Sequence, residues 1–256
     1  MILELQKISK SFGGVMAINE TSFGVGSGEI FALIGPNGAG KTTLFNIITG
    51  NYKPSSGAVF FEGRRIDGLK PHKIVHCGIA RTFQNIRLFS SMSVLENVLI
   101  GFDRQMKYSI LEAFLNWGRF GRVESEFQDR AHMLLRELGL ENCAQQKATS
   151  LSYGQQRKVE LARAMATAPK LLLLDEPAAG MNSAESKDLA ALIFKLKEDY
   201  KIGVLLIEHD MKFVNALCDR VLVLDYGRTI FEGKLSDAVH HKEVIAAYLG
   251  DFDASG

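Results

Sequence analysis

Cysteine is scarce in this chain of 256 residues: there are three, Cys77, Cys143 and Cys218, odd in number and far apart. That argues against a disulfide framework or a zinc cluster and fits buried thiols in a reduced compartment. Long apolar runs are missing as well. No stretch approaches the roughly 18–20 consecutive apolar residues of a membrane span, and the densest run, 171–174, has the length of a core strand. Neither sign of charge is in surplus, since 30 Lys and Arg stand against 29 Asp and Glu, a net +1 with the histidines neutral. Such a balance argues against a free-standing nucleic-acid binder, which carries a basic excess or patch. No basic, hydrophobic leader with a small-residue cleavage site follows Met1, so a secreted chain is not expected. Internal repeats and low-complexity tracts are also absent. What remains, 46% apolar and 23% charged residues, is the balance of a soluble globular protein. The length allows one large domain or two small ones with no disulfide or metal staple. Composition places the chain among cytosolic globular proteins and is silent on chemistry.

The periodicity is that of an α/β protein. Residues 2–8 alternate as a half-buried strand, and 58–61 do the same after the turn Pro54-Ser55-Ser56-Gly57. Residues 29–34 form a short apolar run that ends in a glycine-rich turn, and a helix is expected over 41–49. The β-prone runs 79–83, 171–174, 204–207 and 221–224 are short enough to be buried parallel strands. Asp225-Tyr226-Gly227-Arg228 then turns the chain into 229–232, a hairpin. The stretch from about 94 to 137 differs. It lacks β-branched runs and shows helical spacing at Ile110, Leu111, Phe114 and Leu115, then at Met133, Leu134, Leu135 and Leu138. It reads as a helical insertion in an α/β core, closed by a helix over 152–168 before Pro169. Strands alternating with helices imply a mostly parallel sheet covered on both faces, with its ligand at the carboxyl ends of the strands.

Gly35-Pro36-Asn37-Gly38-Ala39-Gly40-Lys41-Thr42 satisfies the G-x-x-x-x-G-K-[ST] pattern, after a strand and opening a helix. The glycines let successive backbone N–H groups turn inward around phosphate oxygens at the positive end of the helix. Lys41 is placed for the β- and γ-phosphates, the Thr42 hydroxyl for Mg²⁺ and Thr43 for the α-phosphate region. An ordinary glycine-rich turn is the alternative. The apolar run 171–174 is followed at once by Asp175-Glu176-Pro177, which puts paired carboxylates at the sheet edge beside that loop. Asp175 is a candidate for the Mg²⁺ shell and Glu176 for polarising the attacking water, against the alternative of a solvated turn. A second strand, 204–207, ends in Glu208-His209-Asp210, where His209 can meet a γ-phosphate or serve structure alone. His72, His76, His132, His240 and His241 have no such context.

Leu151-Ser152-Tyr153-Gly154-Gln155-Gln156 opens another helix, with Ser152 and Gln155 forming an S-x-x-Q capping box. Gly154 in the first turn leaves backbone N–H groups open to an anion. A second anion-binding helix start has no obvious use in a chain whose phosphate loop already holds a triphosphate, unless it closes over another subunit's nucleotide. Ser152 to Gln156 resembles the signature motif of ATP-binding-cassette ATPases, and the other motifs stand in that family's order. The resemblance extends over residues 3 to about 233. It implies an α/β fold: a P-loop NTPase core with a mostly parallel sheet, an antiparallel β subdomain and a helical insertion. The whole chain is then one cassette, with 1–84 and 166–256 as core and about 85–165 as the helical subdomain. It further implies ATP and Mg²⁺ as ligands. Gln84, in Arg81-Thr82-Phe83-Gln84, matches the glutamine loop that meets Mg²⁺. Phe12, in Ser11-Phe12-Gly13-Gly14, matches the aromatic that stacks on adenine, although an aromatic before two glycines fits a core equally well. His209 matches the switch histidine. Ser152, Gly154 and Gln155 would meet the nucleotide of a second cassette subunit, the same or paralogous, in a head-to-tail dimer. Two positions depart from the pattern: Tyr153 stands where Gly is usual, and Asn182, in Ala178-Ala179-Gly180-Met181-Asn182, where Asp is usual. No guanine-reading N-K-x-D segment is present.

Within that family, Arg81-Thr82-Phe83-Gln84-Asn85-Ile86-Arg87-Leu88-Phe89, Ser93-Val94-Leu95-Glu96-Asn97-Val98, Glu176 to Asn182 and Ile207-Glu208-His209-Asp210-Met211 resemble the ATPase subunits of branched-chain amino acid importers. The tail Ala247-Tyr248-Leu249-Gly250 and the helical insertion around Trp117 are similar too. The ATPase of lipopolysaccharide export shares some of these segments, including the Ala-Gly loop and the tail. The importer resemblance implies an ATPase on the cytoplasmic face of the membrane, working with transmembrane permease subunits and a separate substrate-binding protein, with no nucleic acid. Ile86, Leu88 and Phe89 are candidates for docking the membrane partner or for the core of the insertion. A soluble cassette acting in assembly is the reading from another class.

Overall fold

The computed structural model describes residues 1–105 and 119–253. Ile110, Leu111, Phe114, Leu115 and Trp117 of the expected insertion lie outside the described residues. In chain order the helices are α1 (Lys41–Ile48), α2 (Pro71–Cys77), α3 (Val94–Ile100), α4 (Arg119–Glu137), α5 (Tyr153–Ala166), α6 (Ser183–Tyr200), α7 (Met211–Leu217), α8 (Leu235–Ala238) and α9 (Lys242–Asp253). The chain divides into two compact units, Met1–Arg81 with Lys170–Gly256, and Thr82–Pro169. Among the described residues no helix is long and apolar enough to cross a membrane.

The first unit holds two sheets. Strands β1 (Leu3–Phe12), β2 (Val15–Val25), β4 (Ser56–Phe61) and β5 (Arg64–Arg65) form an antiparallel sheet in the order β2-β1-β4-β5. In β1 the alternation of Leu3, Leu5 and Ile8 is carried past a bulge near Lys7, whose φ is 46°. Strand β2 escapes a period-two reading because Asn19-Glu20-Thr21-Ser22 interrupts its apolar pattern and the pairing with β1 shifts register. Its buried Thr21 is satisfied by donating to the Gly227 carbonyl at 3.3 Å.

The second sheet has the order β10-β9-β3-β8-β7-β6, with β3 (Ile30–Ile34), β6 (Ile79–Arg81), β7 (Leu171–Asp175), β8 (Gly203–Ile207) and β9 (Arg220–Asp225) parallel. Strand β10 (Arg228–Gly233) pairs antiparallel with β9 through the expected hairpin. Every residue of β3, β7 and β8 is buried. That is why these strands read as unbroken apolar runs rather than alternations. One set of alternating side chains, including Phe31, Leu33, Leu173, Leu205, Ile207 and Leu222, shares a core with β1, β2, β4 and α1. The complementary set, such as Ala32, Leu172, Leu206 and Val221, is equally buried, so both faces are covered. The strand expected over 79–83 stops at Arg81. Beyond it, the Phe83 and Gln84 carbonyls accept from the Arg157 side chain.

The second unit is helical. Helix α3 begins on a capping box between Ser93 and Glu96, and α5 on one between Ser152 and Gln155. The latter agrees with the sequence, with Ser152 as the cap itself. Val98, Phe102, Ala131, Leu135, Val159 and Ala162 are among its buried residues. The Phe102 and Phe127 rings lie 5.2 Å apart, and the Arg130 guanidinium covers both. Gly101, at the end of α3, approaches α5 so closely that a Cβ there would stand 2.3 Å from the Arg163 carbonyl oxygen.

Candidate functional site

The loop between β3 and α1 is built for close backbone approach. Gly35 has φ 140°, and a Cβ on it would lie 2.1 Å from the Leu224 carbonyl oxygen, so only glycine fits. Helix α1 is capped by Gly40 with no side-chain cap and carries no acidic residue in its first turn. Its first N–H groups therefore keep the partial positive charge that attracts an anion. Pro36 and Ala39 are buried, whereas Asn37, Gly38 and Thr42 are exposed and Thr43 is half-buried. The Lys41 ammonium donates to the loop's own Gly35 and Pro36 carbonyls at 2.7 and 2.8 Å. The turn of the β9–β10 hairpin supports this loop, its Gly227 N–H donating to the Ala39 carbonyl at 3.0 Å.

Strand β8 runs between β3 and β7, with Leu33 and Asp175 each in register with Ile207. Phosphate loop, Asp175-Glu176 and Glu208-His209 therefore leave the same carboxyl edge of three adjacent strands. Asp175 is buried, its Oδ2 accepting from Arg81 Nη2 at 2.6 Å. Glu176 has φ 46°, a strained conformation for a residue with a Cβ, held by its N–H donating to the Ile207 carbonyl at 2.9 Å. His209 Nδ1 stands 3.8 Å from a Glu176 carboxylate oxygen, and its side chain is 66% exposed. Thr42 and Asp175 offer hard oxygen donors, the chemistry that suits Mg²⁺. Among the described residues no cluster of three or more His, Cys, Asp or Glu could hold a metal ion.

Two neighbours of these residues were not singled out by sequence reading. Glu208 is 1% exposed, and its carboxylate accepts from Ala178 N–H at 2.9 Å, His209 N–H at 2.9 Å and Asp210 N–H at 3.2 Å. One buried carboxylate thus joins the loop after β7 to the loop after β8. Tyr52 meets Phe12 edge to face, with ring centroids 5.1 Å apart and Lys10 Nζ at 4.9 Å from the Phe12 ring. Both rings remain about 40% exposed, Phe12 at 42% and Tyr52 at 38%, so Phe12 is not a core residue. The sequence signal for Tyr52 is only an aromatic shortly after α1, and nothing in its spacing ties it to Phe12.

Gln84, Ser152, Gly154 and Gln155 belong to the second unit. Ser152 accepts from Gln155 N–H at 3.4 Å, and the Gln155 side chain accepts from Ser152 N–H at 3.1 Å. Tyr153 has its own partner, its hydroxyl lying 3.1 Å from Arg157 Nη2. Arg157 also donates to the Phe83 and Gln84 carbonyls and pairs with Glu160 at 3.1 Å. Burial pushes the Glu160 carboxyl above its ordinary range, opposed by the Arg87 N–H and the Arg157 and Arg163 guanidiniums. Helix α5 thereby grips the glutamine segment through side chains. Ile86 and Leu88 are half-buried, and Phe89 is 49% exposed with Arg163 over its ring.

The sequence profile of the family described as ABC transporter matches residues 18–179. The high-affinity branched-chain amino acid transport ATP-binding protein BraF of Pseudomonas aeruginosa is 43% identical over 98% of both chains. LivG of Escherichia coli K12, which carries the same description, is 42% identical over the same shares. A crystal structure of a nucleotide-free ATP-binding cassette from an ABC transporter superposes with a TM-score of 0.84 at 35% identity, over 96% of this chain and 98% of that one. A dimeric, post-hydrolysis ATP-binding cassette bound to ADP and phosphate has a TM-score of 0.76 at 28% identity, over 91% and 98%.

Proposed function

The chain belongs to the ABC transporter family, and from that membership we propose that it is the ATP-hydrolysing subunit of an importer for branched-chain amino acids. The observation that carries this reading is the single sheet edge from which phosphate loop, paired carboxylates and histidine emerge. The relatives at 42–43% identity over 98% of the chain support the cargo class; no residue of this chain is proposed to touch the amino acid. Membrane subunits and a separate binding protein do that, and the chain sits on the cytoplasmic face as their motor.

In this reading Phe12 stacks on adenine, and the N–H groups from Gly35, Asn37, Gly38, Ala39, Gly40 and Thr43 surround the phosphates. Lys41 leaves the loop carbonyls for the β- and γ-phosphates. Thr42 and Asp175 would hold Mg²⁺, which when bound supplies charge neutralisation and in-line geometry for phosphoryl transfer. Glu176 accepts a proton from the attacking water, while His209 faces the developing charge on the γ-phosphate. Ser152, Gly154 and Gln155 present a capped helix start to the nucleotide of a second cassette subunit. The dimeric cassette with ADP and phosphate supports that assembly as a family trait. Gln84, gripped through its carbonyl by Arg157, passes the change of state toward the membrane subunits.

Copurification tests the proposal. A tagged chain drawn from detergent-solubilised membranes is expected to bring integral membrane subunits with it. Recovery of a soluble scaffold in their place would support a cassette that acts in assembly.

A further inference from the structure

Arg81 ends β6, and the sequence marks it only as the first letter of a motif. In the structure its side chain is 9% exposed and that of Asp175 is 7% exposed. One arm of the guanidinium, Nη2, donates to Asp175 Oδ2 at 2.6 Å. The other arm, Nη1, donates to Asn46 Oδ1 at 2.8 Å and reaches Thr49 Oγ1 at 3.4 Å. Its Cζ lies over the Phe45 ring, 5.4 Å from the ring centroid. Asn46 and Phe45 belong to α1, and Thr49 caps its end. A single buried fork therefore ties the carboxylate at the end of β7 to the helix whose first residues are Lys41 and Thr42.

We infer that Arg81 is a positioning residue for the divalent cation: it fixes the rotamer of Asp175 and its spacing from the phosphate loop. This rests on the reading of Asp175 as the metal carboxylate. Arg81 occupies Oδ2 and leaves Oδ1 to face the cation. A carboxylate buried to this degree needs a compensating charge before any metal arrives, and Arg81 provides it. The task needs two donors in a rigid plane, one for each element, which a lysine's single ammonium cannot reproduce.

The test is equilibrium binding of a fluorescent ATP analogue, with Mg²⁺ and with EDTA, to the wild type, Arg81→Gln and Asp175→Asn. Arg81→Gln is expected to lose about 10-fold of the Mg²⁺-dependent tightening, the scale seen when a metal ligand loses its supporting partner. Its metal-free affinity should stay within about twofold of wild type, since no phosphate contact is removed. Asp175→Asn should lose the Mg²⁺ increment as well. If Asp175→Asn loses it while Arg81→Gln keeps it, even with a lowered melting temperature, Arg81 is structural only and the inference fails alone. If Asp175→Asn also keeps it, the metal reading of Asp175 fails and takes the inference with it. Should Arg81→Gln not fold, Asn46→Ala removes the tie to α1 while leaving the ion pair. A loss of several-fold in the increment supports the positioning role, and an unchanged increment overturns it.

Discussion

At the scale of single residues, Glu176 shows why a candidate site residue can be read from sequence while its support cannot. It follows an apolar strand at once, so its place at the sheet edge is legible. Its left-handed backbone, at φ 46°, and the hydrogen bond that holds it belong to the fold. Glu176→Gln preserves that shape and removes the proposed base. Its hydrolysis rate is expected to fall by about 100-fold or more, within the usual range for a general base, while bound ATP is retained. Single-turnover hydrolysis beside equilibrium ATP binding checks this, and a normal rate would remove Glu176 from the role. Glu208 is the opposite case. Its carboxylate serves backbone N–H groups from 1 to 30 positions away, and no local pattern announces such partners. Glu208→Ala leaves those donors without an acceptor, and the expected loss of stability is at least about 1–3 kcal/mol, measured by urea unfolding.

At the scale of elements, capping explains a departure from the family pattern. Asn182 caps α6, its Oδ1 accepting from Ala184 and Glu185 N–H groups at 2.9 and 3.0 Å, with Glu185 returning the bond. Asn and Asp are near-equal caps, so Asn182→Asp should leave stability within a few tenths of a kcal/mol, and Asn182→Ala should cost about 1 kcal/mol. Thermal unfolding of the two variants distinguishes a cap from a charged coupling residue. The close crossing at Gly101 leads to another expectation: Gly101→Ala must push α3 from α5 and destabilise by about 1–3 kcal/mol, again by unfolding. Buried parallel strands and the Ser152–Gln155 capping box were legible because they depend on contiguous residues, whereas the boxes at Ser93 and Asn182 were not singled out. Strand β2 was not, since a bulge breaks its period and Thr21 is satisfied from a distant hairpin. Strand β6 was read two residues too long because Phe83 continues the apolar pattern where the ladder has already ended.

At the scale of the whole molecule, the proposed function assigns transport to membrane subunits beside this chain, and it sets the exposed helix start at Ser152 against the nucleotide of a second cassette subunit. Ser152→Ala should therefore lower hydrolysis by the assembled transporter more than it lowers nucleotide affinity of the isolated chain; equal losses in both assays would argue against a site shared between subunits. In the proposed reading the cargo leaves no mark in the sequence beyond family likeness, because the residues that meet the amino acid belong to the membrane subunits and the binding protein. The most direct measurement of the central claim is uptake of labelled leucine into vesicles that carry the chain with its membrane subunits and binding protein. ATP-dependent uptake with the wild type and its loss with Glu176→Gln is the result expected. Uptake that survives in Glu176→Gln, or a wild-type complex that hydrolyses ATP and moves no leucine, would contradict the account.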